Sequence, residues 1–118
     1  MTGTAIALAT VFALPAGAAP AKPGGEVGAA HAACGTTKPD KDDSSWLATA
    51  ETAARQRSGS STSCTALGTA QTSDRLDYHC YTVGNDGYTW TYLRNDRTGV
   101  AGWVRDDLLE DHGSGVPC

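Results

Sequence analysis

Short alternating segments separated by turn residues fill the second half of the sequence, and they constrain the fold more than any other feature. Residues 74–83 alternate apolar with polar side chains, which is the period-2 pattern of a half-buried strand. Segments 88–94 and 100–109 are rich in β-branched and aromatic residues, and turns ending at Gly87 and Gly99 precede them. The pattern predicts an antiparallel meander, which we expect to close into a small barrel in a chain of 118 residues.

Several short motifs in this block follow one another in a characteristic order. They are residues 57–62 (RSGSST), Leu67 with Gly68, residues 90–93 (WTYL), residues 99–104 (GVAGWV) and the apolar Leu108. This order resembles the bacterial SH3 (SH3b) pattern of Asn-Val-Arg-Ser-Gly-Pro-Ser, Trp-x-x-Val and Gly-x-x-Gly-Trp-Val. The chain differs from it at Gln56, where the family has an apolar residue, and at Ser60, where it has Pro. The resemblance implies an all-β, SH3-like antiparallel barrel over residues 46–118.

The N-terminal part of the sequence differs in composition from the predicted barrel. Residues 5–14 are apolar but too few to span a bilayer, which needs about 20, and Ala18 and Ala21 offer small-residue cleavage sites. This pattern is typical of a secretory signal peptide over residues 1–21, with an apolar core helix as the alternative. Because no basic residue opens it, we expect the true start to lie upstream. Residues 22–45 are rich in Pro, Gly and charge and predict a flexible arm.

All four cysteines follow the predicted signal peptide: Cys34, Cys64, Cys80 and Cys118. An even number in a small secreted domain predicts disulfides with no free thiol, and four cysteines allow three pairings. In the barrel that the resemblance implies, Cys64 follows the first loop and Cys80 falls on the core-facing register of the next strand. We therefore expect a Cys64–Cys80 bond. The remaining bond, Cys34–Cys118, would then join the arm covalently to residue 118.

No set of residues in the sequence predicts catalysis or a bound metal. Zinc sites use closely spaced ligands, whereas His31, His79 and His112 are scattered. A Cys/His hydrolase needs an unpaired nucleophilic cysteine on a separate catalytic fold, for which no segment remains. The acidic pairs lack a second domain that would form the cleft of a glycosidase, and they are more typical of a solvated surface. They are Asp42 with Asp43, Asp74 with Asp77, and Asp106 with Asp107. We therefore expect a non-catalytic protein without a cofactor.

The large aromatic residues of one predicted strand are the candidate ligand-binding residues. Tyr88, Trp90 and Tyr92 fall on one face at period 2, and Leu93 falls on the other. The resemblance places the residue matching Leu93 in the core and the one matching Trp90 towards a ligand groove, so we expect Trp90 to be exposed. Exposed aromatic patches on small monomers mark interaction sites. The alternative is that the three rings pack beneath segment 46–54.

The net charge of the chain argues against polyanionic partners. Nine Lys and Arg against thirteen Asp and Glu give a net charge of −4, so the chain lacks the basic stripe that nucleic acid requires. Anionic lipid surfaces and teichoic acids are disfavoured for the same reason.

SH3b domains often bind peptidoglycan peptides, so the resemblance implies a secreted, monomeric module for a peptide-like ligand, with cell-wall peptidoglycan as the first candidate. The alternatives are docking on another extracellular protein, for example as an inhibitor, and targeting of a separate enzyme.

Overall fold

A six-stranded antiparallel sheet forms the body of the protein. The computed structural model describes residues 31–47 and 52–118, so the predicted signal peptide lies outside the described residues. The strands are β1 (Ser45–Leu47), β2 (Ala54–Arg57), β3 (Ala66–Ala70), β4 (Arg75–Val83), β5 (Thr89–Asn95) and β6 (Ala101–Arg105), and a 3-10 turn, Asp106–Leu108, follows. Their order across the sheet is β1-β4-β5-β6-β2-β3. The predicted all-β class and the β4-β5-β6 meander are confirmed.

Two glycines in the left-handed region close the hairpins of the meander. Gly87, with φ of 85°, ends the turn between β4 and β5, and Gly99, with φ of 75°, ends the turn between β5 and β6. The amide of Gly87 donates to the carbonyl of Gly84 at 3.1 Å, and that of Gly99 donates to Asn95 at 2.7 Å. A side chain with a β-carbon is disfavoured at such φ values. Both turns therefore form where the sequence predicts them.

The face of the sheet that carries Leu93, here called the inner face, holds the main hydrophobic core. Its buried members come from β2 to β6 and from the segment after the 3-10 turn: Ala54, Ala70, Leu76, Tyr78, Leu93, Val104 and Leu109. Burial raises the pKa of the Tyr78 phenol, whose hydroxyl donates to Asp111 Oδ1 at 2.7 Å. The predicted core position of Leu93 is confirmed.

The opposite face, here called the outer face, carries a second core under an N-terminal segment. Trp90, Tyr92 and Trp103 pack with Ala32. Residues 31–37 lie across these rings, and Trp103 Nε1 donates to the Thr36 carbonyl at 2.9 Å. The expectation that Trp90 is exposed is wrong, since only 2% of this residue is accessible. Strand periodicity correctly separates Trp90 from Leu93, but both faces of β5 are covered.

The four cysteines form two disulfides, but the predicted pairing is wrong. Cys34 bonds to Cys64, with 5.4 Å between the Cα atoms, and Cys80 bonds to Cys118, with 4.9 Å. The first bond joins the segment that covers the outer face to the loop after β2. The second joins the chain's last residue to the middle of β4. Two disulfides in a small β domain are typical of proteins from an oxidising compartment.

A β-bulge at His79 explains why the predicted pairing fails. Tyr78 pairs with Leu93 and Cys80 pairs with Tyr92, so one extra residue lies between consecutive pairs. Paired residues share a face of the sheet, and the bulge therefore moves Cys80 from the inner face to the outer face. Cys118 packs against the second core on that face. Strict alternation from Tyr78, without the bulge, would place Cys80 in the inner core, near Cys64.

No helix in the described part of the chain is long and apolar enough to cross a membrane.

Candidate functional site

A shallow groove of about 190 Å³ lies on the outer face, beside the second core and outside the cover of residues 31–37. Its lining comes from β2, β5, β6, the loop after β2 and the 3-10 turn: Ala53, Ala54, Arg55, Arg57, Thr62, Trp90, Arg105 and Leu108. The register pairs Arg57 with Trp103. Counting two residues along each antiparallel strand sets Arg55 beside Arg105 on the same face. The groove therefore combines an apolar floor with several guanidinium groups.

One of these guanidinium groups is neutralised within the domain. Arg105 Nε and Nη2 donate to the two Asp107 carboxylate oxygens at 2.7 and 3.1 Å, and Arg105 Nη1 lies 3.6 Å from Asp86 Oδ2. These hydrogen bonds to Asp107 raise the pKa of Arg105. Its guanidinium carbon also lies 4.4 Å from the centre of the Tyr88 ring, in cation–π contact. Arg105 therefore serves as a fixed wall of the groove.

Two other guanidinium groups carry charge that the described residues do not neutralise. Arg57 Nη1 donates to the carbonyl of Cys64 at 3.0 Å, which fixes the side chain without cancelling its charge. Arg55 is exposed and has no carboxylate within ion-pair distance among the described residues. The described residues of the groove thus carry a positive local charge, although the whole chain carries −4.

The structure separates the three aromatic residues predicted to bind a ligand. Trp90 is among the residues that line the groove, and its Nε1 donates to Asp86 Oδ1 at 3.1 Å. Tyr88 is exposed beside Arg105. Tyr92 lies farther along the face, with its ring centre 5.0 Å from that of Trp103, and it lines a different cavity. Only Tyr88 and Trp90 are brought together near the groove.

Sequence reasoning missed the arginines, although a signal for them exists. Arg55 and Arg57 are two residues apart on a strand, so both side chains must point to one face. The intervening Gln56 is fully buried, and its Nε2 donates to the carbonyl of Val100 at 2.9 Å. That alternation gives β2 a basic outer face. Neither the aromatic pattern nor the net charge reveals this basic face.

Most members of the three acidic pairs seen in the sequence accept hydrogen bonds from within the domain. Four of them accept from a neighbouring side chain: Asp42, Asp74, Asp106 and Asp107. Asp74 is the strongest case, because Arg97 Nε and Nη2 donate to its two oxygens at 2.6 and 3.0 Å and Asn95 Nδ2 donates at 2.8 Å. The hydrogen bonds from Arg97 hold the pKa of Asp74 well below its usual range. This network connects the turn before β4 to the turn after β5.

The three histidines stay apart in the structure as well. His31, the first residue of the segment that covers the second core, has its Nδ1 2.8 Å from Ser60 Oγ. His112 lies in the chain after the 3-10 turn, with a left-handed φ of 68°. His79 occupies the bulge of β4, and its Nε2 lies 4.0 Å from Asp77 Oδ2. All four cysteine sulfurs are in disulfides, so none is a free nucleophile.

Comparisons of this chain with models of protein families, with curated proteins and with solved structures found no match.

Proposed function

We propose that this protein is a secreted, non-catalytic binding module with an SH3-like barrel, and that the groove beside Trp90 captures the carboxylate end of a short peptide. The motifs that resemble the SH3b pattern fall on β2, β3, β5, β6 and the 3-10 turn, in the order of the resemblance. Secretion is supported by the two disulfides, which persist in oxidising compartments.

The observation that carries the proposal is the pair of arginines on the outer face of β2. Arg55 and Arg57 present guanidinium groups without a carboxylate partner among the described residues, and the exposed Leu108 supplies apolar surface beside them, next to the buried Trp90. Guanidinium groups bind carboxylates through paired hydrogen bonds, which are stronger than neutral ones. A peptide carboxylate fits this arrangement better than an uncharged or basic end.

The size of the groove indicates how much of a ligand it holds. At about 190 Å³ it is smaller than the ~300–1,000 Å³ pockets that enclose drug-sized molecules. It therefore suits one or two small residues at the end of a peptide rather than a whole chain. Peptidoglycan stem peptides end in small residues with a free carboxylate, and they remain the first candidate ligand.

The net charge of −4 does not oppose an anionic ligand at this position. Salt screens charges over about 8–10 Å, so the charges within the groove dominate once the ligand is in contact. Distant carboxylates chiefly slow the approach, and their effect falls with ionic strength. A cation-rich groove on an acidic protein therefore favours a small anionic ligand over a large polyanion.

A stem peptide with a free C-terminus, compared with its amidated form, tests this proposal. We expect the free peptide to bind the wild type more tightly, and Arg55→Gln to weaken binding about tenfold or more, since a hydrogen bond to a charged group contributes roughly 1.5–3 kcal/mol. Arg75→Gln is the matched control: it removes the same charge from an exposed arginine of β4, away from the groove. Equal binding of both peptide forms, or of Arg55→Gln and wild type, contradicts the proposal.

The second candidate function is docking on another extracellular protein, and Leu67 favours it. This side chain is 51% exposed on β3 and lines a separate cavity of about 230 Å³ with Tyr92 and Ala101. Retention on purified sacculi separates the two candidates. Retention that free stem peptide abolishes supports wall binding, whereas no retention favours docking on a protein.

A further inference from the structure

A cluster of side chains that can bind a metal lies at the bulge of β4, away from the groove. Oxygen atoms of Asp40 and Asp77 and a ring nitrogen of His79 all lie within 4.8 Å of one another. The backbone holds them together, because the Lys41 amide donates to the carbonyl of His79 at 2.9 Å and so fixes the neighbouring Asp40 alongside β4. The bulge at His79 is the type of feature that redirects a side chain at a functional site.

The hydrogen bond to His79 leaves one ring nitrogen ready to bind a metal. His79 Nδ1 lies 3.0 Å from the carbonyl oxygen of Lys38. A carbonyl oxygen only accepts hydrogen bonds, so Nδ1 carries the proton and donates it. In the neutral ring, the lone pair is then on Nε2, the nitrogen nearest Asp77. Metal-binding histidines are oriented in this way, with the other nitrogen donating to a carbonyl or carboxylate. Edge contact with the Tyr92 ring, at 5.3 Å between centres, further fixes the orientation.

The charge of this cluster is not balanced by the cations near it. Arg94 Nη2 pairs with Asp96 at 3.0 Å, and Lys41 Nζ donates to the Cys118 carbonyl at 2.7 Å. Among the described residues, no lysine or arginine lies within ion-pair distance of Asp40 or Asp77. Two adjacent carboxylates without a cationic partner favour a bound cation.

We propose that Asp40, Asp77 and His79 bind a divalent transition-metal ion, with Zn²⁺ as the first candidate and water completing its coordination. The imidazole favours zinc over Mg²⁺ and Ca²⁺, which prefer all-oxygen sites. Bond lengths of about 2.0–2.2 Å in a tetrahedral site put the ligand atoms about 3.4 Å apart, so they must approach by roughly 1 Å. Asp40 is exposed, and the hydrogen bond that its Oδ1 accepts from the amide of Asp42 is long, at 3.2 Å, so the side chain can make that adjustment.

A bound ion would link the segment before β1 to β4 at a point that no disulfide holds. Asp40 belongs to the segment before β1, whereas Asp77 and His79 belong to β4. The site uses none of the groove residues, so this inference stands or falls independently of the proposed function.

Calorimetric titration of the untagged, oxidised 118-residue chain with ZnCl₂ tests the inference. We expect one zinc ion per molecule, with affinity lowered about tenfold or more by either His79→Gln or Asp77→Asn. Asp40→Asn, at an exposed position, gives a further test if a β4 variant does not fold. Asp43→Asn is the matched control and should bind as the wild type does. Zinc should also raise the melting temperature of the wild type and not that of His79→Gln.

Several outcomes would overturn the zinc site. They are the absence of saturable 1:1 binding at zinc concentrations up to about 1 mM, unchanged affinity in His79→Gln, and loss of binding in His31→Gln or His112→Gln instead. Displacement of zinc by equimolar Mg²⁺ or Ca²⁺ would also contradict it, because these ions prefer oxygen ligands and should bind a site with an imidazole more weakly than zinc does.

Discussion

Removing either disulfide is expected to cost the domain nearly the same stability. The Cys34–Cys64 bond closes a loop with a sequence separation of 30, and Cys80–Cys118 closes one of 38. The chain-entropy relation converts these loops into about 3.6 and about 3.9 kcal/mol of unfolding free energy at 25 °C. Double serine variants of each pair should therefore differ from each other by only a few tenths of a kcal/mol. Each loss is large against the ~5–15 kcal/mol typical of a whole domain.

Guanidinium chloride unfolding of the two double variants measures these costs. The guanidinium concentration at half-unfolding should fall by a similar amount in both variants. The dependence of the unfolding free energy on denaturant should also be compared with that of the wild type, because the unfolded chain of each variant is less compact. A difference above about 2 kcal/mol between them, or a cost below about 1 kcal/mol for either, would refute the view that loop closure dominates.

Tryptic mapping without reduction checks the pairing before the unfolding experiment. Cleavage after Arg75 separates the peptide 58–75, which holds Cys64, from the peptide 76–94, which holds Cys80. We expect the first to be joined to the peptide that ends at Lys41, and the second to be joined to residues 106–118. A bond between 58–75 and 76–94 would overturn the register at the bulge.

Two further predictions concern the cores and the acidic network. Trp90→Ala should lower stability by about 3–5 kcal/mol, as severely as Leu93→Ala at about 2–5, because both side chains are buried; a melting temperature for Trp90→Ala close to wild type would refute the second core. Folding lowers the pKa of Asp74 below its usual value of 3.8. The stability that the ionised Asp74 contributes to the folded state is therefore fully present above pH 3.8 and is lost as the pH falls below that value. The stability advantage of wild type over Asp74→Asn, on the order of 2 kcal/mol near pH 7, should therefore shrink near pH 3, and an unchanged advantage in urea titrations would contradict the role of Arg97.

Local features of the sequence were sufficient to predict β4, β5 and β6, the turns between them and the two faces of β5. Alternation and glycine position depend on neighbouring residues, so they can be read without knowledge of distant contacts. The bulge at His79 could not be predicted, because no residue in that stretch marks where the register slips. The cover over Trp90 and Trp103 comes from residues 31–37, whose composition has no periodicity to reveal a buried contact. Both failures concern how segments pair and pack with one another rather than which residues form strands.

The disulfides connect cysteines that are consecutive in the chain, and this has a consequence for biosynthesis. A polypeptide that enters an oxidising compartment N-terminus first presents Cys34 and Cys64 together before Cys80 emerges. Oxidation in order of appearance therefore yields the native bonds directly. The interleaved and nested pairings would require thiol–disulfide exchange to correct them. Vectorial export is thus expected to give the native isomer without help from an isomerase, whereas refolding of the full reduced chain must sort among three isomers.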